Sequence, residues 1–321
     1  MKAPEARLMS QSDHAMIRRL ASAGFDGAAI FTVYSQNPLP AALFCYLAEI
    51  PLRLAHCREN PYQLLTDWIR EPEPHDFVRH EARRHLDLVA SVGVESIDDR
   101  LRLRVPDLAR RRIHRLLDDI RLDTAAPWLT IHPGSTAAAR RYPPEKFAEV
   151  ADGLAKHGFE IVLTGDQSES ELIASIQRQM FSPSQSLAGK LSLAELAALI
   201  EASPVLISNN TGPVHVAAAV GTPVVDLYAL TNPQHTPWLV PHRVLFHDVP
   251  CKYCYKSICP EGHHDCLQRV EPEAVVQATL ELIAEQSTTE GSGFGRVQGS
   301  GFRVQERTSL PNVVQESHDS L

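Results

Sequence analysis

The chain has 321 residues, of which 44% are hydrophobic and 22% are charged, and its formal net charge is −8. This composition fits a globular protein with room for two domains. The negative charge argues against a nucleic-acid partner, because domains that bind nucleic acids are usually basic. No apolar run approaches the roughly 20 residues of a membrane span, and the first residues lack a signal peptide's apolar core, so the expected location is the cytoplasm.

The first third of the chain predicts only part of an α/β domain. Its apolar runs and helical periodicity predict two strands, at 25–34 and 52–56, and three helices, at 40–49, 75–92 and 107–122. We therefore assign residues 1–124 to an incomplete N-terminal domain.

The next part of the chain alternates strands with helices more clearly. The predicted strands are 127–132, 159–164, 204–208, 222–228 and 244–246, and the predicted helices are 143–157, 168–180, 193–202, a short one between 213 and 221, and 272–286. Such alternation implies right-handed crossovers and a parallel sheet. We assign residues 125–286 to a second α/β domain, and the Gly- and Ser-rich residues 287–321 to a disordered tail.

The stretch SNNTGPVHVAAAVGTPVV, residues 208–225, opens a short helix with polar turn residues. Thr211 or Asn210 suits the N-cap and Pro213 the first turn. Gly212 lets a ligand approach the backbone, and the free N–H groups at a helix start favour an anion such as phosphate. A well-capped core helix without a ligand is the alternative interpretation.

Two further loops follow predicted strands, where open α/β sheets bind ligands. HPGSTAAARRYP, residues 132–143, carries Arg140 and Arg141, which either pair with phosphate oxygens or lie solvated on the surface. LTGDQSESE, residues 163–171, carries carboxylates that either complement a helix N-terminus or accept hydrogen bonds from ribose hydroxyls.

In this order, and with SLAGKLSL at 186–193, these stretches resemble the ADP-heptose:lipopolysaccharide heptosyltransferases of glycosyltransferase family 9. The resemblance implies a GT-B fold, with two Rossmann-like domains and parallel sheets facing each other across a cleft. It implies inverting transfer of heptose, or a related sugar, from an ADP-sugar to a lipopolysaccharide core or similar glycan. The acceptor would be lipid-linked or an oligosaccharide, no cofactor would be needed for catalysis, and the cytoplasmic face of the inner membrane is a second implied location.

The resemblance also implies which residues contact the donor, namely Ser135, Arg140, Glu169, Asn210, Thr211, Gly212 and His215. Many family members have aspartate where this chain has Asn210. The family's proposed general base is an aspartate in an early Gly-Asp loop, for which the residues before Phe25 offer no counterpart. The catalytic base is therefore unassigned, and a catalytically inactive nucleotide-sugar-binding or scaffold protein is the alternative function.

Four of the six cysteines, Cys251, Cys254, Cys259 and Cys266, fall within sixteen residues. Four such thiols satisfy tetrahedral zinc, and His263 or His264 can replace one of them. Reduced thiols that pack a loop, or disulfides formed on oxidation, are the alternatives. A structural zinc here is expected to hold the closing helix without touching the donor.

Overall fold

The computed structural model describes residues 10–74, 76–124 and 126–291. It contains two parallel sheets, of three and six strands. The described part of the chain contains no helix with the length and apolar character needed to cross a membrane.

The smaller sheet lies in the N-terminal part of the chain, residues 10–99. Its strands are β1 (Gly27–Ile30), β2 (Leu52–Cys57) and β3 (Asp67–Arg70), in the spatial order β1-β2-β3. Three helices accompany it: α1 (Gln11–Ala23), α2 (Leu39–Leu47) and α3 (Glu81–Ala90). The two predicted strands and the helices predicted at 40–49 and 75–92 are confirmed in kind, whereas α1 and β3 were not predicted.

The helix predicted from residue 75 begins at Glu81 instead. His80, the residue before the helix, has the non-helical dihedrals φ −59 and ψ 140 of an N-cap. The ring of His80 accepts a hydrogen bond from the Ala82 N–H at 3.1 Å and caps the helix. The segment before α3 is therefore a loop, and it is one of the places where the N-terminal part contacts the rest of the molecule.

The larger sheet has the strand order β6-β5-β4-β7-β8-β9, and all of its pairs are parallel. The strands are β4 (Trp128–His132), β5 (Glu160–Leu163), β6 (Gln185–Ser186), β7 (Leu206–Asn209), β8 (Val224–Leu227) and β9 (His242–Leu245). The chain proceeds outward from β4 in one direction and then, from β7, in the other. The crevice between β4 and β7 is therefore the switch point at which doubly wound sheets bind ligands.

The helices around this sheet are α4 (Asp107–Asp119), α5 (Pro144–Lys156), α6 (Ser170–Gln179), α7 (Leu193–Ala202), α8 (Gly212–Val220), α9 (Asp265–Gln268) and α10 (Pro272–Gly291). The predicted capping box of Ser192 and Glu195 is present at the start of α7. Short 3₁₀ turns occupy Ala138–Arg140 and Gln167–Glu169. Helix α10 runs past its predicted end, and the predicted tail beyond 291 lies outside the described residues.

Helix α4 packs against the larger sheet's layer of helices. Its buried residues Ala109, Ile113 and Leu117 join a cluster with Val162 of β5 and Leu199 of α7. The sequence-based boundary at residue 124 places this helix in the N-terminal domain, whereas its apolar side is buried with the second sheet. We use "C-terminal part" below for residues 100–291.

Candidate functional site

A cavity of about 510 Å³ lies at the carboxyl ends of β4, β5 and β7. Five of the seven predicted donor-contact residues line it: Ser135, Arg140, Glu169, Thr211 and Gly212. The other two, Asn210 and His215, do not. The four sequence stretches that carry the family resemblance thus meet at one edge of one sheet.

Asn209, the last residue of β7, holds two of these loops together. Its side-chain amide donates to the Pro133 carbonyl at 2.7 Å, and its side-chain oxygen accepts from the Tyr142 N–H at 3.0 Å. Asn209 is fully buried, so these bonds are shielded from competing water. The turn that starts α8 and the loop that carries Arg140 are consequently fixed relative to each other.

Arg140 supplies the positive charge of the cavity. It is the one arginine or lysine that the structure places in the cavity lining. Its Nε is buried and has no hydrogen-bond partner among the described residues. Arg141 points elsewhere and donates to the Ser135 and Thr136 carbonyls, at 2.8 and 3.3 Å.

The two histidines near this site are uncharged at neutral pH. Burial lowers the pKa of His132 to about 4 and the pKa of His215 to about 4, the latter with a smaller contribution from His235. Asp166 and Glu169 also line the cavity. An anionic ligand must therefore obtain its charge pairing from Arg140 and from helix-start N–H groups.

The turn at Thr211 and Gly212 presents backbone without side-chain bulk. Thr211 is the N-cap of α8, but its side chain caps no N–H and its hydroxyl donates instead to the Asn209 carbonyl at 3.2 Å. The first N–H groups of a helix have no partner within the helix. A Cβ placed on Gly212 would meet no heavy atom within 4 Å, so the backbone here faces open cavity.

Gly134 and Glu169 approach each other closely on the opposite wall. A Cβ on Gly134 would lie 1.9 Å from Glu169 Oε1. Glu169 Oε2 accepts the Asp166 N–H at 2.9 Å, and Asp166 accepts the Ser168 and Glu169 N–H groups in return. This capping box holds the Glu169 carboxylate in place beside the carboxyl end of β5.

Asn210 faces the protein interior and not the cavity. Its side-chain amide donates to Asp226 Oδ2 at 2.8 Å and to the His235 carbonyl at 2.9 Å. The structure therefore does not place the Asn210 side chain in the cavity, where a direct contact with the donor was predicted. Its hydrogen bonds instead hold the turn at Thr211 and Gly212 from the side of the protein interior. His215 lies on α8 with its ring against His235, at 6.3 Å between ring centroids.

Asp226 is the buried partner that sequence reasoning missed. It is fully buried, its Oδ1 has no hydrogen-bond partner in the described residues, and burial raises its pKa well above the usual value. A motif search has no signal for it, because Asp226 stands inside the ordinary strand run TPVVDLY. Its value to the site is to fix Asn210, which precedes the cavity-lining Thr211.

Asp226→Asn is expected to change how stability depends on pH. Above the pKa of about 3.9 of an unfolded aspartate, the folded protein retains a proton that the unfolded chain has lost. The free energy of unfolding then falls with rising pH, by up to about 1.4 kcal/mol per unit, until the raised pKa is passed. The variant lacks this decline, so its stability relative to wild type should rise between pH 4 and pH 7.

Denaturant unfolding at several pH values measures this difference. Asp248→Asn, at an exposed ion pair with Lys252 (2.9 Å), is the control and should not reproduce the trend. A wild-type and Asp226→Asn pair whose stabilities stay parallel across pH would contradict the assignment of a protonated Asp226.

The cysteine loop, residues 251–266, contacts the turn that carries Arg140. The Ser257 carbonyl accepts the Ala139 N–H at 2.9 Å, and Ala139 adjoins Arg140 in the same 3₁₀ turn. The loop also contacts the N-terminal part, where the rings of Tyr255 and Tyr34 meet edge to face at 5.8 Å. It is thus a support for the turn that carries Arg140.

The four thiols do not converge on one point. All are free, and within residues 10–74, 76–124 and 126–291 no group of three or more His, Cys, Asp or Glu side chains is arranged to hold a metal ion. Cys251 Sγ lies 3.6 Å from His263 Nε2. The arrangement does not fit tetrahedral zinc, which needs four ligands at about 2.3 Å or less, so the zinc prediction finds no support here.

Comparison with known proteins decides the family. A model of glycosyltransferase family 9 (heptosyltransferase) matches residues 14–264, which is most of the chain. The chain belongs to glycosyltransferase family 9. It is similar to the lipopolysaccharide heptosyltransferase 2 of Salmonella typhimurium, with 26% identity over 78% of this chain and 74% of that protein. Further heptosyltransferase relatives are matched over about half of their own length.

Solved structures agree on the fold. A family 9 glycosyltransferase from Veillonella parvula superposes with a TM-score of 0.73 at 23% identity, covering 85% of this chain and 79% of that one. The ADP-heptose lps heptosyltransferase II of E. coli superposes with a TM-score of 0.65 at 24% identity, covering 86% and 81%. The predicted α/β architecture of GT-B type is confirmed, and the chain is a heptosyltransferase-like glycosyltransferase.

Proposed function

We propose that this protein transfers heptose, or a related sugar, from an ADP-sugar to a lipopolysaccharide core or similar glycan, with inversion at the anomeric carbon. One observation carries the proposal: the cavity at the sheet's switch point joins Arg140 to the bare backbone turn of Thr211 and Gly212. The relatives support the choice of sugar and acceptor, since they are named as heptosyltransferases of lipopolysaccharide.

Each part of the cavity has a role in this reaction. The acceptor hydroxyl oxygen forms the new bond to the anomeric carbon and loses its proton to a general base, which the described residues leave unassigned. The bond from that carbon to the diphosphate oxygen breaks at the same time, so negative charge grows on the departing ADP. Arg140 and the N–H groups at the start of α8 stabilise that charge, which is the interaction that lowers the barrier. Ser135 and the Glu169 carboxylate lie where polar groups of the nucleoside would be held.

In this reaction Arg140, Thr211 and Gly212 hold the diphosphate, while Ser135 and Glu169 bind the remainder of the donor. Asn210 and His215 support the turn from behind the cavity wall. We propose that the acceptor approaches from the N-terminal part, whose loop before α3 contacts the C-terminal part.

The experiment is direct measurement of donor turnover. The full chain is mixed with ADP-heptose and with heptose-deficient lipopolysaccharide, and released ADP is measured. ADP release that requires both substrates is the expected result. Binding of ADP without turnover of any acceptor would favour a nucleotide-sugar-binding protein without catalysis, and absence of ADP binding would refute both functions.

A further inference from the structure

A loop of the C-terminal part, residues 231–238, makes most of the polar contacts between the two parts of the molecule. We call it the bridging loop. Its residues are TNPQHTPW, and it follows β8 at the carboxyl edge of the larger sheet. None of its residues lines the donor cavity, and the proposed function assigns it no role.

On one side, the bridging loop holds the loop before α3. Gln234, which is fully buried, donates from its side-chain amide to Glu73 Oε2 at 2.8 Å. The Gln234 carbonyl accepts the Glu81 N–H at 3.1 Å. One residue thus contacts the N-terminal part through both its side chain and its backbone.

Neighbouring residues of the bridging loop extend this attachment. The Thr236 carbonyl lies 2.8 Å from His80 Nε2, and since His80 Nδ1 accepts from the Ala82 N–H, Nε2 is the donor. Trp238 stacks on the His80 ring at 4.3 Å between centroids and donates from its indole N–H to the Asp99 carbonyl at 2.6 Å. All of these contacts join the bridging loop to His80 or Asp99 of the N-terminal part.

Glu73 strengthens the attachment of the bridging loop to the N-terminal part. Its side chain is fully buried, and it also pairs with Arg79, with Arg79 Nε 2.5 Å from Glu73 Oε1. A buried carboxylate that loses a partner keeps its desolvation cost without the compensating hydrogen bond, which costs several kcal/mol when an ion pair is broken. We therefore expect Gln234 to keep its hydrogen bond to Glu73 when the N-terminal part is displaced.

On its other side, the bridging loop holds the donor turn. The His235 carbonyl accepts the Asn210 side-chain amide at 2.9 Å, and the same amide is tied to Asp226. Asn210 immediately precedes Thr211, which lines the cavity. Because Gln234 and His235 are consecutive, their carbonyls are separated by a single pair of backbone dihedrals, so a displacement of Gln234 shifts the His235 carbonyl to which Asn210 donates.

We propose that Gln234 is a positioning residue that couples the placement of the N-terminal part, on Glu73 and Glu81, to the diphosphate-binding turn at Thr211 and Gly212. The inference rests on the proposed function, because it assigns the acceptor to one part and the donor to the other. Reacting atoms must approach to about 3–3.5 Å, and an error of about 1 Å costs on the order of 100-fold in rate. Gln234 sets that distance without touching either substrate.

The test uses a charge exchange across the contact. Gln234→Glu places a second carboxylate against Glu73 and should break the link, whereas the double variant Glu73→Gln with Gln234→Glu restores one amide and one carboxylate. Gln177→Glu is the matched control: Gln177 lies on α6, and its side-chain amide donates to the Ser184 carbonyl at 3.2 Å and not to the N-terminal part. All variants are made in the full chain.

Two readouts separate positioning from loss of fold or of donor binding. Calorimetry should give an ADP affinity within about threefold of wild type for every variant. Hydrogen exchange over residues 71–90 should slow when ADP binds to wild type, should not respond in Gln234→Glu, and should respond again in the double variant. With acceptor present, kcat should fall about 10- to 100-fold in Gln234→Glu with donor KM little changed, and should recover in the double variant.

The outcomes discriminate the two ideas. If wild type binds no ADP, the proposed function is wrong, and the coupling that rests on it is wrong as well. If wild type binds ADP but exchange over 71–90 does not respond, or if Gln234→Glu keeps the wild-type kcat, the coupling is refuted while the proposed function stands.

Discussion

Arg140→Ala is expected to lower kcat/KM for the ADP-sugar by about 100- to 1,000-fold. The reason is the charge composition of the cavity. Asp166 and Glu169 are its other charged residues, and the neighbouring imidazoles of His132 and His215 are neutral above about pH 5 because burial lowers their pKa to about 4. Without Arg140 the described lining holds two carboxylates and no arginine or lysine to pair with a diphosphate.

The hydrogen bonding and the shape of the Arg140 guanidinium support the same expectation. Arg140 Nε is buried and has no hydrogen-bond partner in the part of the chain that the structure describes. The protein without ligand therefore already bears the cost of desolvating it, and a phosphate oxygen would supply the missing acceptor. Arg140→Lys keeps the charge but loses the planar fork, so its kcat/KM should fall between those of wild type and Arg140→Ala.

Arg141→Ala is the matched control for this prediction. Arg141 donates to the Ser135 and Thr136 carbonyls and stabilises the loop without facing the cavity. Its loss should reduce kcat/KM by less than about tenfold, equivalent to about 1.4 kcal/mol, since Arg141 does not line the cavity and its two bonds to backbone carbonyls act on the stability of the loop. Steady-state kinetics and ADP calorimetry measure both effects, and an Arg140→Ala variant with wild-type ADP affinity would remove Arg140 from the donor site.

The sequence predicts the C-terminal part well because its elements are local. Strands β4, β5 and β7 are buried apolar runs, helices α5 and α7 carry their own stop or capping signals, and Gly221 ends α8 in the left-handed conformation at φ 89. The strand-end loops then had to meet, since parallel strands place their carboxyl ends along one edge. The cavity was predictable for that reason.

The N-terminal part and the inward-facing polar residues were less predictable because they depend on distant contacts. Strand β3, DWIR, is half exposed and too short for a clear period. Gln234 finds Glu73 at a separation of 161 residues, and Asn210 finds Asp226 across two strands. No pattern within a short window encodes such pairs.

The side chain of Asn210 points away from the position that the motif suggested for it. Its place beside Thr211 and Gly212 in the motif suggested a direct contact with the donor. In the fold, its side chain turns toward Asp226 and the His235 carbonyl. A resemblance transfers the position of a residue, whereas the direction of its side chain is set by the neighbours that this chain provides.

Gly212→Ala is expected to separate donor binding from stability. The added Cβ meets no heavy atom within 4 Å, so the folded protein accommodates it. Because Gly212 is the first residue of α8 and alanine loses less backbone entropy than glycine in a helix, the free energy of unfolding should stay level or rise by up to about 1 kcal/mol. The same methyl group occupies the space through which a diphosphate reaches the backbone.

The contrast with Gly134→Ala makes the prediction decisive. There the Cβ would lie 1.9 Å from Glu169 Oε1, so the carboxylate must move, its capping box is disturbed, and stability and ADP affinity should fall together. For Gly212→Ala only the affinity should fall, by about 10- to 100-fold, which corresponds to about 1.4–2.8 kcal/mol. Thermal unfolding and ADP calorimetry on both variants check this. If Gly212→Ala binds ADP as tightly as wild type does, the backbone at the start of α8 is not the diphosphate site.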